Sequence, residues 1–325
     1  MKAAVYTRYG TPDVVSLSTL PRPLLPADGV VIRVRATTVS SGDARLRSAH
    51  VPAGFGLPLR LGFGMFGPRN HVLGTEVAGE VVEVGAHSRF AVGDRVFALL
   101  GASLGGHAEY AAIRDNGAVA HLPRGMGFES GAALAFGGTT ALYYLRDKAK
   151  LRAGERLLVN GASGAVGSAA VQLGKYFGAH VTAVCSGNNA DLVTLLGADR
   201  VVDHTRQDFA TLRERFDVVI DAVGNCSFAR CAPALADSGR LLLVVASLGQ
   251  MLGAMLRPVR SGRRVLCGVT PERAEDLQLL AQLAEIGAYR PVLDSVFPFD
   301  RIAEAHARVD TQRKRGSVIV TLVEA

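Results

Sequence analysis

The sequence predicts an α/β chain in two parts: a mostly β domain built from both ends of the chain, and a doubly wound parallel sheet inserted between them. Three observations carry this. Residues 1–122 hold short alternating runs, AAVY, VVIRVRA, VAGEVVEVG, DRVFALL and AEYAAI, punctuated by glycine and proline, which is the pattern of half-buried antiparallel strands. From residue 123 apolar runs alternate with helical segments: RLLVNG, SAAVQLGKYFG, HVTAVCS, DLVTLLG, RVVDH, FDVVIDAVG, SFARCAPALA, GRLLLVVAS and RRVLCGV. Strands apolar on both faces and separated by helices call for a parallel sheet covered on both sides. After the helical run ERAEDLQLLAQLAEIG, the segments PVLDSVFP and GSVIVTLVE return to the style of the first domain. Residues 287–325 are therefore expected to complete domain 1–122, with 123–286 forming the insertion.

The composition is that of a globular chain, with 49% hydrophobic residues in 325, enough for a large core and about two domains. The start, MKAAVYTRYG, has no apolar signal core, and no uncharged apolar run approaches the ~20 residues of a membrane span. A cytoplasmic location is the expectation. Cys185, Cys226, Cys231 and Cys267 match neither a disulfide framework nor a metal knuckle, so reduced, mostly buried thiols are expected. The net charge of +7, from 36 basic and 29 acidic residues, is a weak nucleic-acid signal for so large a surface. Only Arg257–Arg264 (RPVRSGRR) and Arg313–Arg315 are dense in charge; both read as solvated faces, and a phosphorylated cofactor is another use for such charge.

The strongest motif is LLVNGASGAVG, Leu157–Gly167. An apolar strand feeds a turn with glycines at 161, 164 and 167, and an amphipathic helix follows at once. The turn and helix N-terminus can bring backbone N–H groups against a pyrophosphate, and the last glycine permits close helix–sheet packing. A glycine pattern alone is weak; a strand before it, a helix after it and further strand–helix units behind it make a Rossmann dinucleotide site. The expected contacts include Gly161, Ser163, Gly164, Ala165, Val166 and Gly167.

The chain resembles the quinone oxidoreductase-like branch of the medium-chain dehydrogenase/reductase superfamily, nearly end to end. The resemblance is carried by Gly74-Thr75-Glu76 with VAGEVVEVG, Val92–Val96 (VGDRV), Gly106–Tyr110 (GHAEY), Gly137–Ala141 (GGTTA), the glycine turn, Leu196–Asp199 (LGAD), Asp217–Asp221 (DVVID) and Lys314-Arg315-Gly316. It implies a GroES-like catalytic domain joined to a Rossmann domain with the active site in the cleft between them, a small-molecule substrate, and a homodimer.

Zinc-dependent members of that superfamily would place their catalytic ligands at Ser40, Thr75 and close to Phe136 here. A hydroxyl pair and a phenyl ring do not make a site for zinc, which takes Cys, His or carboxylate in tetrahedral sets. No cysteine precedes Cys185, so the structural zinc lobe is missing as well. The expectation is a zinc-free site. Glu76 and Asp43 read as structural hydrogen-bonding carboxylates, and the histidines as surface or hydrogen-bonded residues.

Cofactor choice turns on the loop after the second Rossmann strand, where NAD-preferring folds place a carboxylate about 20 residues past the glycines. This chain has Ser186, Gly187, Asn188 and Asn189 there, with no acid until Asp191. NADPH is expected over NADH, with Ser186, Asn188 and Asn189 as donors to a 2′-phosphate; relatives often carry Arg or Lys where Asn188 stands, so the discrimination should be weaker. His204 either flanks the adenosine or is an ordinary loop residue. By resemblance, Thr140, Ala222, Val223, Val245, Ala246 and Ser247 hold the nicotinamide half, although for Val223 and Val245 core packing is an equal reading. The substrate side comprises Ser40, the candidate catalytic donor, with Arg45 and Phe136.

The apolar, glycine-rich segment 51–71 and the segment 250–264 are lids, subunit contacts, a peripheral membrane contact, or simply packed within the fold. The leading function is hydride transfer from NADPH to a quinone or an α,β-unsaturated carbonyl compound. The other class is a nucleotide-responsive binding protein that engages RNA, a membrane or a protein partner.

Overall fold

A computed structural model of the chain describes residues 1–256 and 262–322. It divides into two compact units: residues 1–51, 56–136 and 272–325 in one, and 52–55 and 137–271 in the other. Of the basic run 257–264, residues 257–261 lie outside the described residues.

The first unit is built on a seven-stranded sheet. Its centre is the long strand Gly29–Val39, which pairs antiparallel with Glu76–Val84, Tyr110–Arg114 and Ser317–Thr321. Glu76–Val84 continues to Arg95–Leu99 and then to Ala118–His121. On the other side Ser317–Thr321 pairs in parallel with Leu293–Pro298, so both of these strands belong to the same sheet as Gly29–Val39. One face packs Val30, Ile32, Val34, Val77, Val81, Val96 and Ala98 into a closed apolar cluster. A separate two-stranded sheet joins Lys2–Val5 to Ser16–Thr19.

The second unit contains a six-stranded, all-parallel sheet. Across the sheet the strands run Arg200–Asp203, His180–Cys185, Arg156–Asn160, Phe216–Asp221, Leu235–Leu243 and Arg264–Cys267. In chain order this is 3-2-1-4-5-6, the doubly wound arrangement with its switch point beside the first strand. Central strands such as Leu157–Val159, Val218–Ile220 and Leu241–Leu242 are fully buried, which is why they read as unbroken apolar runs.

The units divide after Phe136 and Pro271, whereas the sequence reading draws its lines at 122 and 286. Two packings account for the difference. The helix Ala274–Glu285 lies with the strand Ala118–His121: Gln278, Ala281, Gln282 and Glu285 line a depression with Val119, Ala120 and His121. The first half of the helix Phe128–Leu142 belongs to the same unit, with Phe136 N–H bound to Glu76. Beyond Leu142 the helix widens into a π-helical turn, Tyr143–Ala149. The four cysteines are free, and Cys185, Cys226 and Cys231 are buried.

Candidate active site

The glycine turn sits at the carboxyl end of Arg156–Asn160, and its three glycines answer to three different constraints. Gly161 adopts φ +81°, a left-handed conformation that disfavours a side chain, and a Cβ there would meet Val223 Cγ2 at 2.6 Å. At Gly167 a Cβ would overlap the Gly161 carbonyl oxygen and lie 2.7 Å from its carbon, so the helix Ala165–Tyr176 could not approach the strand as it does. Gly164 is different: its φ is an ordinary −80°, and the nearest atom to a Cβ is Gly161 O at 3.6 Å. Nothing in the protein forbids a side chain there. The open space lies at the N-cap of a twelve-residue helix that has no side-chain cap, so the first-turn N–H groups of Ala165, Val166 and Gly167 face a site suited to an anion.

The loop after His180–Cys185 closes one side of this turn. Asn189 donates its side-chain amide to Ser163 Oγ (3.0 Å) and Ser186 Oγ (3.2 Å). The structure thus brings Ser163, Ser186 and Asn189 together, with the side-chain amide of Asn189 engaged in bracing the loop and the two serine hydroxyls acting as its acceptors. Asn189 Oδ1 is buried without a partner, an acceptor that a sugar hydroxyl would satisfy. A dinucleotide therefore fits the residues present. His204 is exposed, and its backbone N–H binds Cys185 O at 3.0 Å.

One residue of this region was illegible along the second strand. Asp203 ends the third strand in register with Cys185, and a Cβ on Gly187 would lie 2.7 Å from its Oδ2. A carboxylate therefore does stand beside the loop, delivered from the neighbouring strand. Backbone and side-chain hydrogen bonds from Thr205, together with the Gly187 N–H, hold its pKa below the usual carboxylate value.

The loop after Phe216–Asp221 is fixed by Asp221, a fully buried residue. Its Oδ1 accepts from Asn160 Nδ2 (2.9 Å), Val223 N (3.0 Å) and Gly224 N (3.1 Å), and its Oδ2 from Cys226 N (2.9 Å). This anchors Ala222 and Val223, of which Val223 is 49% exposed. Gly224 packs against Val245, the residue after the next strand's extension. Ser247 and Gln250 form a reciprocal cap, Ser247 N to Gln250 Oε1 and Gln250 N to Ser247 Oγ, at the start of the helix Leu248–Leu256. Thr140 is buried in its own helix. Ser163, Ser186, Val223 and Val245 thus all follow carboxyl ends of parallel strands, the edge at which open α/β sheets bind ligands.

In the first unit, Ser40 caps the helix Ser41–Ser48. Its Oγ accepts from Asp43 N (3.1 Å) and donates to Asp43 Oδ2 (2.6 Å), while Ser40 N donates to the same oxygen (2.8 Å). Asp43 Oδ1 accepts from Gly74 N at 3.0 Å, tying the helix start to the Gly74–Glu76 segment. Both Asp43 carboxylate oxygens are thus engaged within the fold, and Ser40, read as a candidate donor to substrate, here gives its hydroxyl proton to that carboxylate as part of the helix cap.

Glu76 is equally enclosed: Thr38 Oγ1 donates to its Oε2 and Phe136 N to its Oε1 at 2.7 Å. Burial raises its pKa to about 7, against the lowering effect of those hydrogen bonds. Next to it, Thr75 Oγ1 is buried and has no hydrogen-bond partner. A hydroxyl left unsatisfied in this way costs about 1–3 kcal/mol and calls for an explanation. Arg45, on the helix that Ser40 caps, is only partly exposed; burial lowers its pKa, and it forms no ion pair or hydrogen bond in the described residues. Among the described residues no group of three or more His, Cys, Asp or Glu is placed to hold a metal.

The profile described as "Alcohol dehydrogenase GroES-like domain" matches residues 26–133, and that described as "Zinc-binding dehydrogenase" matches 196–320. The chain is 30% identical to the "Chloroplast envelope quinone oxidoreductase homolog" of Arabidopsis thaliana, over 93% of this chain and 92% of the relative. It is 31% identical to the "NADPH-dependent alkenal/one oxidoreductase, chloroplastic" of the same plant, over 98% of this chain and 79% of the relative. In fold it superposes on the quinone oxidoreductase from Coxiella burnetii with a TM-score of 0.88 at 24% identity, over 99% of each chain. The parallel sheet in the order 3-2-1-4-5-6, its glycine turn and these end-to-end similarities lead to one assignment: the chain belongs to the quinone oxidoreductase-like branch of the medium-chain dehydrogenase/reductase superfamily.

Proposed function

We propose that the chain reduces a quinone or an α,β-unsaturated carbonyl compound at the expense of NADPH, and that it does so without a metal. The observation that carries the reading is the set of groups at the three positions where zinc-dependent relatives hold their metal: a hydroxyl engaged in capping at Ser40, an unpartnered hydroxyl at Thr75 and a phenyl ring at Phe136. Relatives named for quinone and alkenal/one reduction support the acceptor class, and one of them is named for NADPH.

Bound NADPH supplies a hydride. When the hydride arrives at the β-carbon of an enone, or at a quinone, negative charge moves onto the acceptor's oxygen and is delocalised, so hydrogen bonds suffice where a simple ketone would need an electrophile. We assign the main donor to Thr75, whose hydroxyl has no competing partner, and a supporting charge to Arg45. Phe136 offers an apolar contact, and water returns the final proton. The Gly164 space and the helix start at Ala165 receive the pyrophosphate. The Ser163 and Ser186 hydroxyls serve the adenosine end, and the loop anchored by Asp221 carries Ala222 and Val223 to the nicotinamide end. NADPH is our reading over NADH, with the preference moderated by Asp203. A homodimer is our reading of the assembly, on the family resemblance.

The test is steady-state NADPH oxidation with a panel of enones and quinones. The proposal expects turnover of at least one class, Thr75→Val to lower kcat while leaving the KM for NADPH unchanged, and Ser40→Ala to cost about 1 kcal/mol of stability through the lost cap. It is overturned by turnover confined to saturated aldehydes or alcohols. The assignment of Thr75 fails when Ser40→Ala slows the reaction in a folded protein and Thr75→Val does not.

A further inference from the structure

Apart from Arg60 the short helix Gly56–Phe63 is apolar, yet only one side of it is covered. Leu59 is 8% exposed, and Phe63 packs against the cluster of Tyr6, Leu73 and Leu104. On the opposite face, Leu57 and Leu61 are 63% and 55% exposed, four residues apart and so aligned along the axis. The turn that follows adds Met65 and the 98% exposed ring of Phe66. Single exposed apolar residues are common on any surface; four within ten residues form a patch that needs an occupant.

The patch is held in shape. Arg60 donates to Met65 O at 2.9 Å and lies over the Tyr9 ring, and Tyr9 Oη donates to Gly64 O at 2.8 Å. Arg69 N–H binds Phe63 O at 2.8 Å. The apolar side chains are thus presented outward by a braced turn. Along the segment itself the charge has one sign: no Asp or Glu occurs between Asp43 and Glu76, while Arg60 and Arg69 are both exposed. Outward leucines and an aromatic ring rimmed by cations complement a surface with an apolar interior and an anionic face, whereas a water-facing role leaves both features without purpose.

We propose that the helix Gly56–Phe63 and the turn at Met65–Phe66 dock on the surface of an anionic lipid bilayer, inserting Leu57, Leu61 and Phe66 below the headgroups with Arg60 and Arg69 among the phosphates. Docking is peripheral: among the described residues no helix is long and apolar enough to cross a membrane. It is independent of the reaction proposed above, because its readout is binding rather than turnover.

The experiment is co-sedimentation of the full chain with large vesicles of phosphatidylcholine containing about one-third phosphatidylglycerol, beside vesicles of phosphatidylcholine alone. Binding to the anionic vesicles is expected, reduced by added salt and weakened about tenfold or more by the combined substitution Leu57→Ser, Leu61→Ser, Phe66→Ser. These side chains are mostly exposed, so the variant should unfold at the wild-type temperature, which confirms that it is folded. Equal binding to the two kinds of vesicle, equal binding by wild type and variant, or no binding to anionic vesicles overturns the proposal. So does a wild-type dimer that the triple substitution converts to monomer without any vesicle binding, because another copy of the chain would then be the occupant.

Discussion

Gly164 and Gly167 lie one helical turn apart, and the structure assigns them opposite consequences when each is given a side chain. Gly167→Ala forces a methyl group into the Gly161 carbonyl, with Gly161 C at 2.7 Å and Ala162 Cα at 2.8 Å. Backbone cannot rotate out of the way as a side chain would, so the cost falls at the upper part of the overpacking range, about 2–3 kcal/mol, as lost stability. Gly164→Val meets no protein atom closer than 3.6 Å at its Cβ and keeps an allowed φ of −80°, so stability should change by less than about 1 kcal/mol. What it fills is the space at the helix N-terminus. Losing two charge-assisted hydrogen bonds to a pyrophosphate, at about 1.5 kcal/mol or more each, weakens binding by over about a hundredfold. Denaturant unfolding of the apo-proteins and calorimetric titration with NADPH, both below the lower melting point, separate the two effects. Unchanged NADPH affinity in Gly164→Val would refute the placement of the pyrophosphate, and a fully stable Gly167→Ala would refute the packing argument.

For the cofactor's adenosine end, Asp203→Asn should raise the affinity for NADPH relative to NADH and Ser186→Asp should lower it; wild-type preference for NADH in a fluorescence titration contradicts this reading of the loop. Stability between about pH 5 and 6.5 should carry two opposed slopes. His306 is fully buried, and desolvation first, then His107 and Arg47, push its pKa well below 6.5, so its contribution falls as pH drops through 6.5 and the unfolded chain takes up the proton. Glu76, raised to about 7, binds its proton in the folded state and contributes in the reverse sense, losing stability as pH rises through that window. His306→Phe, which removes two ring nitrogens that have no partners, should therefore gain stability on acidification, and Glu76→Gln should lose it, each by about 1.4 kcal/mol per pH unit; parallel slopes in urea melts would exclude the assignment. Turnover should survive prolonged chelation, and one tightly held zinc per chain by elemental analysis, with chelator-sensitive activity, would contradict the metal-free site.

The parts of this molecule legible from sequence are those set by local pattern. The buried parallel strands read as apolar runs because both faces are covered, and the glycine turn is legible because two steric demands, at Gly161 and Gly167, and one open space at a helix start, at Gly164, fall on one residue type at fixed spacing. Segment 51–71 was legible as apolar but not as a helix: Pro58 sits in the first turn, where its missing N–H costs nothing, and the glycines on either side suggest a loop. What stayed hidden depends on partners distant in sequence. Asp203 reaches Gly187 through sheet register, while a search along the second strand stops at Asp191. Asp221 was passed over as a strand end because its four hydrogen-bond partners converge only once the loop has folded. Ser40-x-x-Asp43 is a capping pattern visible in the sequence, and the structure forms that cap. Thr75 stood in the family resemblance only as a missing ligand, because a hydroxyl without a partner is a property of the packed interior. The helix Ala274–Glu285 followed the inserted domain in the chain but packs on a strand of the other unit.

The central step of the proposed reaction is hydride reaching a conjugated acceptor without a metal. NADPH deuterated at the transferred C4 position, incubated with the enzyme and an enone, should place deuterium on the β-carbon of the product, with the α-hydrogen drawn from solvent and the rate unchanged by chelator. Deuterium found on the carbonyl carbon, or label transfer seen only with saturated aldehydes, would contradict it.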